Sequence, residues 1–144
     1  MIEVTKAKKV EIKYPVGRKC KGDDGLVVIF WSEHKGTIVH AGESPLCVGS
    51  TEEIYKSCMN YDVWEPVDVE ITDVIGIGES TEDGITYPVA RKRKEDNMIV
   101  LFFSRNRGVV ADVGTHEGMR TGYTFCFSDV TDNEWEAISM KIYG

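Results

Sequence analysis

Helical periodicity is almost absent from this chain of 144 residues. Its apolar residues come in short runs or alternate with polar ones, and turn residues separate them at regular intervals, which predicts an all-β architecture. No apolar run approaches the length of a membrane span, so no membrane partner is expected. The opening Met1–Lys6 lacks the apolar stretch of a secretory signal. The four cysteines, Cys20, Cys47, Cys58 and Cys126, include no C-x-x-C spacing. That argues against zinc and for free thiols in a reducing, cytoplasmic location.

Catalytic signatures are equally scarce. The three histidines, His34, His40 and His116, form no H-x-H or H-x-x-x-H pair for a metal. Ser32 and Ser104 are not framed by a G-x-S-x-G elbow. Gly76-x-Gly78 lacks both the third glycine and the Gly-Lys-Ser/Thr that make a phosphate loop. The expectation is a non-enzymatic protein with no metal and no cofactor.

What the chain does have is itself, twice. Tyr14-Pro15-Val16-Gly17-Arg18-Lys19 returns as Tyr87-Pro88-Val89-Ala90-Arg91-Lys92, 73 positions later. Leu26–Ser32 answers to Met98–Ser104 at an offset of 72, and Trp64-Glu65 to Trp135-Glu136 at 71. Slips this small belong in turns, and a self-match over most of the chain must be read before any single motif. It predicts a tandem duplication: a first β repeat over 1–75, a linker over 76–84 and a second β repeat over 85–144. Each repeat is expected to be a strongly bent sheet or small SH3-like barrel of four or five strands. A pseudo-two-fold axis would relate the two. Units of this size bury little surface alone, so they should pack closely.

Within each repeat the pattern places the strands. Residues 1–14 alternate weakly and read as one or two short strands. Leu26–Trp31 is continuously apolar, hence a strand buried on both sides or nearly so, and Ile99–Ser104 is its buried counterpart. Hairpin loops at Glu33–Gly36 and Arg105–Gly108 lead to return strands Thr37–His40 and Val109–Val113. Leu46–Val48 reads as a further short strand, Val63–Asp73 as one continuous strand, and Tyr123–Phe127 and Trp135–Ile142 as the last elements. Ser50-Thr51-Glu52-Glu53 has the form of a helix-starting capping box. Its counterpart around Tyr123–Phe127 alternates at period two, which favours an extended or mixed conformation for Glu52–Ser57 instead.

Charge is unevenly spread. The formal net charge is −7, yet Lys6–Lys21 holds seven bases against one acid, and Glu43–Asp83 holds eleven acids against one base. A long nucleic acid would more often select a chain that is basic overall. Local basic clusters on an acidic body suit a small anionic ligand better. Arg18, Lys19, Arg91, Lys92, Arg105 and Arg107 are the candidate ligand-binding cations, because guanidinium and ammonium groups recognise phosphate oxygens. Tyr14, Tyr87, Trp64 and Trp135 are the candidate stacking faces for a nucleobase. The plainer alternative is that the cations are solvated strand edges and that the tryptophans, each opening an amphipathic strand, belong to the core.

The succession Tyr-Pro-Val-x-Arg, a Val/Ile/Phe strand, Gly-Thr-Ile-Val and Trp-Glu-Pro resembles small uncharacterised β proteins of bacteriophages. It covers Tyr14–Val67 well and Tyr87–Ile138 more loosely, with Ala90, Val109 and Ala137 replacing Gly17, Thr37 and Pro66. The resemblance implies expression in the bacterial cytoplasm during infection. It also implies a place among phage anti-defence proteins, including sponges that sequester a cyclic nucleotide-type immune signal. The alternatives are a protein-interaction or virion-associated module, and a small nucleotide or glycan hydrolase. A homo-oligomer is left open.

Overall fold

In a computed structural model, residues 12–22, 25–42, 48–53, 55–71, 80–82 and 85–144 are described. The strands in chain order are β1 (Val16–Cys20), β2 (Val27–Phe30), β3 (Gly36–His40), β4 (Thr51–Glu52), β5 (Trp64–Pro66), β6 (Val69–Ile71), β7 (Ser80–Glu82), β8 (Ile85–Tyr87), β9 (Val89–Arg93), β10 (Ile99–Phe102), β11 (Arg107–Asp112), β12 (Thr124–Cys126), β13 (Trp135–Ile138) and β14 (Met140–Ile142). The all-β expectation holds: the described residues contain no helix.

Two five-stranded antiparallel sheets dominate, ordered β4-β3-β2-β1-β5 and β12-β11-β10-β9-β13. Strand for strand, the second order is the counterpart of the first. Among the described residues neither sheet closes on itself, so of the two forms expected each half takes the open sheet rather than the SH3-like barrel. The central strands of each sheet are buried on both faces, which is why β2 and β10 read as unbroken apolar runs. One face of each turns toward a shared inner cluster that takes Ile29, Trp31, Val39, Val69 and Ile71 from the first half and Ala90, Leu101, Val109, Ala111 and Ile142 from the second. The other face carries an outer cluster, around Phe30 and Trp64 in the first half and around Phe102 and Trp135 in the second. Each buried Val, Leu, Ile or Phe contributes about 1.5–3 kcal/mol, so the inner cluster binds the halves firmly.

The halves also join edge to edge. Val69, Glu70 and Ile71 are the counterparts of Met140, Lys141 and Ile142, and β6 pairs with β14 so that Val69 faces Ile142, Glu70 faces Lys141 and Ile71 faces Met140. Exchanging the halves maps this ladder onto itself. The same exchange relates two close contacts: a Cβ on Gly49 would meet Phe103 at 3.0 Å, and one on Gly122 would meet Trp31 at 2.7 Å. Trp31 and Phe103 are themselves counterparts. The indole Nε1–H of Trp31 donates to the hydroxyl of buried Thr37 at 2.8 Å. Phe103 needs no acceptor, and in the second half the Thr37 position is Val109. Both Tyr14-Pro15 and Tyr87-Pro88 are cis.

Several expectations are corrected. Val63–Asp73 is not one strand: it breaks at Val67–Asp68 between β5 and β6, and Trp135–Ile142 breaks at Ser139 in the same way. The break lets each half's last strand leave its own sheet and pair with the other half. Thr51–Glu52 are extended rather than the start of a helix, and Glu53 and 55–57 lie outside any strand, which is the mixed conformation that the repeat indicated for 52–57. Val48 lies in a turn, while Leu46 and Cys47 fall outside the described residues, as do positions 1–11 of the expected N-terminal strands. In the expected linker, Ser80–Glu82 form β7 and pair with β8; residues 76–79 and 83–84 fall outside the described residues.

Candidate functional site

Alternation along β1 and β9 decides where the expected cations go. Val16 belongs to the first half's outer cluster, so Arg18, two residues on, faces the same way. Val89 belongs to the second half's outer cluster, so Arg91 faces outward from the other sheet. The shared inner layer lies between them. Arg18 and Arg91 therefore do not converge on one guest, because counterpart positions on two sheets packed inner face to inner face point in opposite directions. Each donates Nη1–H to the carbonyl of the residue before it at 2.9 Å, Gly17 for Arg18 and Ala90 for Arg91.

The aromatics separate likewise. Trp64 and Trp135 are core residues, 3% and 6% exposed. Their indole N–H groups are used internally, donating to the Lys56 carbonyl at 3.2 Å and to Ser128 Oγ at 3.1 Å. Tyr87 is buried in the same cluster as Trp135. None of these three offers a face to a base, which corrects the expectation. Tyr14 is 37% exposed and sits 3.6 Å through its hydroxyl from the Cys58 thiol. Desolvation first, and that thiol second, raise the phenol to about 12.

The remaining expected cations are scattered. Lys19 stands opposite Glu65, and Lys92 opposite Glu136, so each has an acid as cross-strand neighbour. Arg105 is held by Asp129, whose carboxyl is lowered to about 2 by hydrogen bonds from Thr131 and then from Arg105. Arg107 is exposed and borders a small hollow of about 310 Å³ between the halves, with Gly49, Ser50 and Phe103.

A roomier concavity lies elsewhere: a cleft of about 690 Å³ where β1 and β5 meet the C-terminal strand of the other half. Pro15, Val16 and Pro66 give one apolar wall, and Ile99, Ala111, Met140 and Ile142 the other. Two tyrosines stand at it, Tyr61 at 49% and Tyr143 at 65% exposure. Three cations line it: Lys13, Arg18 and Lys141. Arg18 is 3% exposed, its Nε–H donating to the Cys58 carbonyl at 2.9 Å, with its guanidinium carbon 5.8 Å from the Tyr61 ring centre. Lys141 lies 5.1 Å from the Tyr143 ring centre and 3.7 Å from Asp68. Lys13 makes no side-chain contact of this kind among the described residues. Asp112 is the one acid in the lining among the described residues, and its Oδ1 accepts from the Gly114 amide at 2.8 Å.

Of the residues expected from the sequence, only Arg18 lines this cleft. Lys13, Tyr61, Lys141 and Tyr143 were missed because the β6–β14 pairing gathers them from opposite ends of the chain. A signal was available for Tyr143, which follows the last alternating strand as an unmatched aromatic. Among the described residues, no group of three or more His, Cys, Asp or Glu is placed to hold a metal ion, and no helix is long and apolar enough to cross a membrane. Comparison with protein-family models, with curated proteins and with solved structures finds no match to this chain.

Proposed function

We propose that this chain is a non-enzymatic binding protein that sequesters a small anionic, nucleotide-type ligand in the cleft between its halves. The observation that carries the reading is the composition of that cleft: two exposed tyrosines and three cations over an apolar floor, in about 690 Å³. That volume is in the range of small-molecule sites. A base stacked on Tyr61 or Tyr143 gains about 1–3 kcal/mol, and Lys13, Lys141 and the buried Arg18 supply positive charge for phosphate oxygens. The ligand class we favour is a cyclic nucleotide-type immune signal, with the protein acting as a phage anti-defence sponge in the bacterial cytoplasm. The resemblance of the Tyr-Pro-Val-x-Arg and Trp-Glu-Pro segments to phage β proteins supports that choice. The halves contribute unlike residues, so the ligand need not be two-fold symmetric.

A thermal-shift screen of cyclic mono- and dinucleotides tests this, since a ligand at one hundred times its Kd stabilises the fold by about 2.7 kcal/mol. Binding should be weakened at least tenfold by Tyr61→Ala and by Lys13→Glu, and heat should release the ligand intact. Recovery of a cleaved product would replace the sponge with a hydrolase. A panel without any shift, together with one stoichiometric protein partner in a pull-down, would favour an interaction module.

A further inference from the structure

The two sheets differ most at one edge. In the first, the edge strand β4 ends in Glu52 and is followed by Glu53, charges of the kind that keep an open edge from pairing. The counterpart edge, β12, carries Phe125 and Cys126 at those places. All three residues of β12 are exposed, and Tyr123 and Phe125 are each 46% exposed. Their rings lie 6.0 Å apart, and Phe125 continues to Phe127 at 5.6 Å. A file of aromatic side chains thus runs from the buried outer cluster to the open edge.

The peptide groups of that edge point outward. The Val110 amide donates to the Tyr123 carbonyl at 3.0 Å, and the Phe127 amide to the Asn106 carbonyl at 2.6 Å. Alternation then directs the N–H and C=O groups of Thr124 and Cys126 away from β11. Cations flank the strand. Arg107 stands opposite Cys126. Arg120 borders a hollow of about 540 Å³ with Tyr123 and Phe125, where Lys35 is 3.9 Å from Glu53. Neither Arg107 nor Arg120 has a side-chain partner among the described residues.

We infer that the β12 edge is a docking site for an extended acidic segment of a partner protein, which adds to the second sheet as a strand. Its main chain pairs with Thr124 and Cys126, its apolar side chains cover Tyr123 and Phe125 on one face, and its alternate carboxylates meet Arg107 on the other. Charge makes a separate partner a better occupant than a second copy. Self-pairing would leave Arg107 facing no acid of β12 itself, whose residues are Thr124, Phe125 and Cys126.

The test uses the full chain and two fluorescein-labelled nine-residue peptides, one alternating aspartate with phenylalanine and leucine, the other with lysine at every aspartate position. Fluorescence anisotropy should show the acidic peptide binding at least tenfold more tightly, and hydrogen exchange should slow at the Thr124 and Cys126 amides. Cys126→Pro removes one outward N–H without touching the β11 ladder, and Phe125→Glu restores the charge found in the first half. Each should weaken binding at least tenfold, and Arg107→Glu should reduce the preference for the acidic peptide. Equal affinity for both peptides, no binding of either, or binding that none of the three variants changes would overturn the inference. So would a concentration-dependent dimer in sedimentation that Phe125→Glu abolishes, which would assign the edge to a second copy.

Discussion

Gly17 and Ala90 are counterparts, and the structure predicts that neither can take the other's residue. A methyl group on Gly17 would lie 2.2 Å from the Val67 carbonyl oxygen and 3.0 Å from a Val69 methyl. The first distance is more than an ångström inside the 3.4 Å at which ordinary contact begins. The obstacle is backbone, so no rotamer change relieves it. Val67 is also pinned: its amide donates to the Gly17 carbonyl at 3.2 Å, and the Gly17 amide donates to the Tyr143 carbonyl at 3.1 Å. Overpacking costs about 1–3 kcal/mol, and loosening one hydrogen bond adds about 0.5–1.5 kcal/mol. Against this stands a gain of about 0.4–1 kcal/mol from restricting the unfolded chain. Gly17→Ala should therefore destabilise by about 1–3 kcal/mol, lowering Tm by roughly 3–10 °C at this chain length. Ala90→Gly should also destabilise, by about 1.5 kcal/mol, because a fully buried methyl leaves the inner cluster. Urea unfolding followed by tryptophan fluorescence measures both. The sign is decisive: a Gly17→Ala protein as stable as the parent, or more so, would mean that the Val67 backbone yields, and the steric argument would fail.

Three further outcomes follow from particular groups. Thr37→Val should cost about 1–3 kcal/mol by leaving the Trp31 indole N–H without its buried acceptor, whereas Trp31→Phe with Thr37→Val should cost less than the two single changes added; a double-mutant cycle in urea reads this. Asp96 is buried, its carboxyl held below the ordinary range first by the hydrogen bond from Arg93. The stability it supplies is complete above the unfolded carboxylate pKa of about 3.9 and is lost as pH falls through the lower folded value, so Asp96→Asn should flatten the acid limb of a plot of urea midpoint against pH. Tyr14 has the opposite sign: its phenol is raised to about 12, its contribution is present below pH 10 and lost as pH rises from there, and Tyr14→Phe should flatten the alkaline limb of the same plot.

Much of this fold is written in the sequence because strand period and burial leave direct marks. The apolar runs Val27–Phe30 and Ile99–Phe102 announce strands covered on both faces, and the repeat overrides the misleading capping box at Ser50–Glu53. The break at Val67–Asp68 leaves no such mark, since Val67, Val69 and Ile71 keep an unbroken alternation through it. Arg18 illustrates a second blind spot. Its charge reads as solvent-facing, yet its spacing from Val16 puts it on a buried face, where the Cys58 carbonyl and Tyr61 receive it. The cleft is the least legible feature, because it exists only after the last strand of each half has crossed to the other.

That crossing has a consequence for the molecule as an object. Neither half owns a finished interior: Ile71 and Ile142 are covered only when strands from both are present. A chain severed between the halves would yield two fragments able to complement one another without a covalent link.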